Sequence, residues 1–107
     1  MSRFVGSEVD RLELGDGDWV DIAQRMSYGM QQKLVAHYIK MSGINRPEID
    51  MEGGNIILLL LNIKDWNLQL NGEKAIINKE NIEQLDPVIA NKIAEEINQR
   101  NQLQKKV

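Results

Sequence analysis

Asn55-Ile56-Ile57-Leu58-Leu59-Leu60-Leu61-Asn62-Ile63-Lys64-Asp65-Trp66 is the stretch on which the fold turns. Over so short an apolar run, periodicity does not separate a buried helix from a buried strand. Four consecutive leucines favour helix, whereas Ile56-Ile57 favour strand. Ile56, Leu59, Leu60, Ile63 and Trp66 would share one helical face, and Asn55 is a suitable N-cap. A helix over 56–65 that closes on Trp66 is therefore the favoured reading, with strand as the alternative. The run is far shorter than the roughly 20 apolar residues that a bilayer span needs.

Downstream, Asn71-Gly72 is a strong turn signal between short polar-apolar stretches, which fit a small hairpin or an extended excursion equally. Asn78 can cap a short helix from Lys79 to about Gln84, with Ile82 and Leu85 turned inward. Asp86 then caps a longer helix, and Pro87 takes its first position, where the missing N–H is harmless. Ile89, Ile93 and Ile97 recur every fourth residue, flanked by Ala90 and Ala94. Beyond Ile97 the side chains are polar, so 98–107 is expected to leave the core and fray.

Upstream, residues 1–8 read as a loose lead-in. Val9 to Leu14 alternates with a period near two, Asp16-Gly17 suits a type I′ turn, and Trp19 to Ile22 resumes the strand pattern. This predicts a β-hairpin with Leu14 across from Trp19. A calcium loop at Asp16-Gly17-Asp18 is disfavoured, because Val20 and Ile22 stand where oxygen ligands would continue. Ser27 is placed to cap a helix to about Met41, striped by Met30, Leu34, Tyr38 and Met41. Gly43 would end that helix, and 44–54, with Pro47, Gly53 and Gly54, reads as a loop. The expected fold is a single small α+β domain over 1–107, mostly helical, with an N-terminal β-hairpin followed by three to four helices.

The 107 residues are 42% apolar and 27% charged, which suits one folded domain. Aromatics make up 5%, so aliphatic residues must build most of the core around Trp19 and Trp66. The net charge of -3 gives no basic footprint for nucleic acid. The absence of cysteine excludes disulfides, thiolate metal sites and a cysteine nucleophile. Neither a signal peptide nor a membrane span is expected, which implies a cytoplasmic protein. Acids gather between Glu8 and Asp21, and Arg100, Lys105 and Lys106 gather at the other end. Two solvated ends are the plain reading; head-to-tail pairing in a homo-oligomer is the sharper one.

Reaction chemistry is sparse. His37 is the only histidine and lacks the partners that a metal or catalytic site needs. Ser2, Ser7, Ser27 and Ser42 sit in no nucleophile-elbow context. Glu80 with Glu83, and Glu95 with Glu96, read as solvated helix faces. Gly53-Gly54 lacks the Gly-Lys-Ser/Thr of a phosphate loop. No enzyme, cofactor or metal is expected.

Several short segments together resemble the tail assembly chaperones of long-tailed bacteriophages. Arg11-Leu12-Glu13-Leu14 with Asp16-Gly17-Asp18-Trp19-Val20 is similar to the opening hairpin of that family, with its "DGxW(V/I)" turn. Met26-Ser27-Tyr28-Gly29 and the helix after it resemble the next segment. Leu60 to Leu68 resembles an apolar helix ending in "xxDWxL". Asn71-Gly72-Glu73-Lys74, then Ile82-Glu83-Gln84-Leu85-Asp86-Pro87, resembles the closing element and final helix. Ala75-Ile76-Ile77 departs from the pattern by lacking a proline.

The resemblance implies a non-enzymatic protein that binds the tape measure protein, with the major tail protein as a second partner, in the host cytoplasm before tail assembly. The alternatives are a small structural virion component, such as a tail or head–tail connector protein, and a non-phage adaptor domain. The residues expected to contact a partner are Trp19, Met30, Ile97 and Leu103. Trp66, Asp86 and Pro87 are the expected structural anchors.

Overall fold

The structure, a computed structural model, describes residues 3–42, 46–49 and 51–101, with side chains for 3–36 and 54–101. Strands β1 (Val9–Gly15) and β2 (Asp18–Ala23) form the predicted hairpin. Helix α1 (Tyr28–Tyr38) follows, then strands β3 (Ile39–Ser42) and β4 (Arg46–Ile49), helix α2 (Met51–Asn62) and strand β5 (Ile63–Trp66). A small hairpin of β6 (Gln69–Leu70) and β7 (Glu73–Lys74) leads to helices α3 (Lys79–Glu83) and α4 (Pro87–Asn101). The fold is α+β with four described helices, but these hold less than half of the described residues. "Mostly helical" overstates them because the sheet takes segments expected to be helix or loop.

The decisive stretch holds both of its readings in succession. Helix α2 starts at Met51 rather than at Asn55 and takes in Gly53 and Gly54. It ends at the buried Asn62, whose Nδ2 donates to the Leu58 carbonyl one turn back at 2.9 Å. The chain then becomes β5 and pairs antiparallel with β2, giving a three-stranded sheet of order β1-β2-β5. Trp66 thus closes a strand, not a helix. Its pairing shifts between Ile22↔Ile63 and Asp21↔Asp65, which makes Lys64 the extra residue of a bulge. In a regular strand, residues three apart face opposite ways. The inserted residue corrects the phase, so Ile63 and Trp66 both meet the core.

A second bulge lies in the first hairpin. Trp19 pairs with Glu13 rather than with Leu14, and Asp18 pairs with Gly15. Leu14 is therefore the extra residue, followed by Gly15 at φ 102, a left-handed backbone suited to glycine. The turn itself falls at Asp16-Gly17 as expected.

Helix α1 is capped by Ser27, whose Oγ accepts from the Met30 N–H at 3.2 Å. It ends at Tyr38 rather than near Met41, and 39–42 instead pairs with 46–49. The segment read as a loop over 44–54 thus supplies strand β4 and the start of α2; residues 43–45 and 50 lie outside those described. The side chains of His37, Tyr38 and Met41 also lie outside them.

Leu12, Val20 and Ile22 from the sheet meet Leu34 of α1, Leu58 and Leu59 of α2, Ile82 of α3, and Ile93 and Ile97 of α4 in one core. Helix α4 also reaches the edge strand. Arg100 Nε donates to Asp10 Oδ2 at 2.8 Å, and Lys92 Nζ approaches the Glu13 carbonyl at 3.5 Å. The expectation that the chain leaves the core after Ile97 is overturned, because Asn101 is buried and hydrogen-bonded to the backbone of Met26. Residues 102–107 lie outside those described. None of the described helices is long and apolar enough to cross a membrane.

Candidate protein-interaction surface

The first turn and the tryptophan-bearing ends of β2 and β5 are locked together by Asn67. Its Oδ1 accepts from the Trp19 N–H at 2.8 Å, and its Nδ2 donates to the Gly17 carbonyl at 2.9 Å. Its own N–H donates to the Trp19 carbonyl at 3.3 Å. One side chain therefore replaces the ladder where β5 runs out and fixes the Asp16-Gly17 turn over the Asp65-Trp66 end. Nothing in Asn67-Leu68-Gln69 marks this residue in the sequence.

On the outer face of the sheet, Arg11 lies over the Trp19 ring at 3.6 Å from its centroid. It also holds Asp21 by two bonds, Nε to Oδ1 at 2.8 Å and Nη2 to Oδ2 at 3.1 Å. This fork is a strong, geometrically specific pairing, and it explains how Asp21 is tolerated at 8% exposure. Lys74 Nζ contacts Asp65 Oδ1 at 2.8 Å, and the Trp66 N–H donates to the same oxygen at 2.9 Å. Together, Lys74 first, they hold the Asp65 carboxyl below its ordinary pKa. On the core side, the Trp66 indole N–H donates to the Ala75 carbonyl at 2.7 Å, so the ring is buried without an orphan donor.

Beside this junction lies an open groove of about 350 Å³. Asp16 and Asp18 of the first turn line one side, Trp66, Leu68 and Leu70 the base of the second hairpin, and Leu85, Asp86 and Ile89 the α3–α4 corner. That corner is set by two caps. Asn78 Oδ1 accepts from the Asn81 N–H, and Asp86 Oδ1 accepts from the Val88 N–H, each at 2.8 Å. A second groove of about 710 Å³ runs between α2, α3 and α4, lined by Ile56, Leu59, Ala90 and Ala94, with Glu83 the one charged residue among the described lining residues.

The expected contact residues do not converge. Trp19 is half-buried beneath Arg11, and Met30 is half-buried against the core from α1. Ile97 is fully buried, so it is a core residue and no contact surface. Leu103 lies outside the described residues. Trp66 is a core anchor, Asp86 a cap, and Pro87 the first residue of α4. The groove residues Leu68, Leu70 and Ile89 went unmarked because each belongs to an ordinary local pattern. Comparison with protein-family models, with curated proteins and with solved structures finds no match for this chain.

Proposed function

We propose that this chain is a non-enzymatic tail assembly chaperone of a long-tailed bacteriophage. In this reading it binds the tape measure protein in the host cytoplasm before assembly, with the major tail protein as a second candidate partner. One observation supports the reading above the others. The segments that carry the resemblance lie far apart in sequence, yet Asp16 and Asp18, Trp66 and Leu68, and Leu85 and Asp86 line a single groove. The groove is open and part apolar, as suits a surface that shields a polypeptide.

Co-expression of the chain with the tape measure protein of the same phage tests the reading. The tape measure protein should move to the soluble fraction and co-purify with the tagged chain. An unchanged insoluble fraction, or recovery of the chain from purified virions by mass spectrometry, would overturn it; virion recovery would favour a structural tail component.

A further inference from the structure

The groove beside the Asn67 junction combines an apolar floor with an unbalanced rim. Leu14, Leu68 and Ile89 supply the floor, and Leu70, 41% exposed, lines it as well. Among the described residues, Asp16, Asp18 and Asp86 are the only ionisable ones in the lining, and no lysine or arginine is among them. Of the cations on neighbouring strands, Arg11 and Lys74 are paired with Asp21 and Asp65, and Lys64 of β5 donates to the Leu61 carbonyl. Gln69 and Gln84 add exposed amides, each able to donate to and accept from a peptide backbone.

Three carboxylates around a low-dielectric floor concentrate cations and repel anions. We propose that this groove takes a polypeptide segment with a leucine-, isoleucine- or methionine-sized side chain flanked by lysine or arginine. The apolar side chain would meet the floor, and the flanking cations would meet Asp16, Asp18 and Asp86. The inference rests on reading the chain as a protein-binding chaperone and names the chemistry its client presents at this site.

The test uses the isotope-labelled full chain and two capped synthetic peptides. One carries a leucine pair flanked by lysines, and the other has glutamates in place of the lysines. The lysine peptide should shift the amide resonances of 14–18, 66–70 and 84–89, and the glutamate peptide should not. Replacing Asp16, Asp18 and Asp86 together by Asn should weaken the lysine peptide roughly tenfold or more at low salt. Asparagine suits both the left-handed turn position and the helix cap, so the fold should survive. Leu70→Ser should weaken binding with the charges intact. Equal binding of both peptides, shifts confined to the α2–α4 groove, or lining resonances that move on dilution of the free chain would each overturn the proposal. Dilution-dependent shifts would assign the groove to a second copy. Because the probe is not the tape measure protein, failure of the co-expression experiment leaves this binding measurement standing, and failure here leaves that experiment standing.

Discussion

The Asn101 side chain accepts a hydrogen bond through Oδ1 from the backbone N–H of Met26 at 2.7 Å, across 75 residues of sequence. Its Nδ2 donates to the Ile97 carbonyl at 2.8 Å. Asn101 is 8% exposed and Met26 1%, so the pair ties the end of α4 to the link between β2 and α1 out of contact with water. Replacing Asn101 with leucine keeps the approximate volume but leaves the Met26 N–H buried and unpaired. The expected loss is about 1–3 kcal/mol, read as a lowered urea midpoint. An unchanged midpoint would show that the bond is dispensable.

Ile97 and Val88 lie on the same helix but at opposite extremes of exposure, 0% and 73%. Ile97→Asp should cost more than about 4 kcal/mol, because a carboxylate would enter an apolar core without a partner. Ile97→Val should cost only about 0.5–1.5 kcal/mol. Val88→Asp should stay within about 0.5 kcal/mol of the parent, since an acid in the first turn suits the helix dipole. Comparable losses for the two aspartate variants, measured by chemical denaturation, would contradict this placement of α4.

Asn67→Ala removes the acceptor for the Trp19 N–H and the donor for the Gly17 carbonyl. The loss should be about 1–2 kcal/mol, and amide exchange at Trp19 should accelerate. Asn67→Asp keeps the acceptor and should protect the Trp19 amide better than alanine does. If exchange at Trp19 is indifferent to residue 67, the first turn and the end of β5 are not joined as described.

Asp10 reports on the contact between α4 and β1. Its carboxyl is held below the ordinary 3.8 first by Arg100 and then by Gln24. A depressed folded-state value means that the unfolded chain takes up the proton first as pH falls. The contribution is therefore complete above the unfolded value and is lost as pH drops through the folded one. Below about pH 4, stability should fall more steeply for the parent chain than for Asp10→Asn, which is expected to be the weaker of the two at neutral pH. Parallel curves of denaturation midpoint against pH would count against the ion pair.

The local punctuation was legible because each signal is a property of one or two residues. Asp16-Gly17 and Asn71-Gly72 turn where their backbone freedom predicts, and Asn78 and Asp86-Pro87 start their helices. Long-range arrangements were not. The bulge at Lys64 gives Ile63 and Trp66 the spacing of a helical face while the chain is a strand. Gly54, read as part of a loop, is buried within α2, where packing overrides its low helix propensity. Pro47 argues against a strand, yet β4 accommodates it opposite Met41; an edge position tolerates a missing donor. Asn101 looked like a solvated tail residue because a buried amide and an exposed one have the same letter. The groove was invisible for a related reason. Its walls come from three places that only the β2–β5 pairing and the α3–α4 corner bring together.

The attachment of α4 to β1 also sets the order in which the molecule can be completed during synthesis. Leu12, Val20 and Ile22 are made before Ile93 and Ile97, which complete the core around them. Contacts of such sequence separation close slowly. Until they close, the apolar side of the hairpin lacks the cover that α4 supplies.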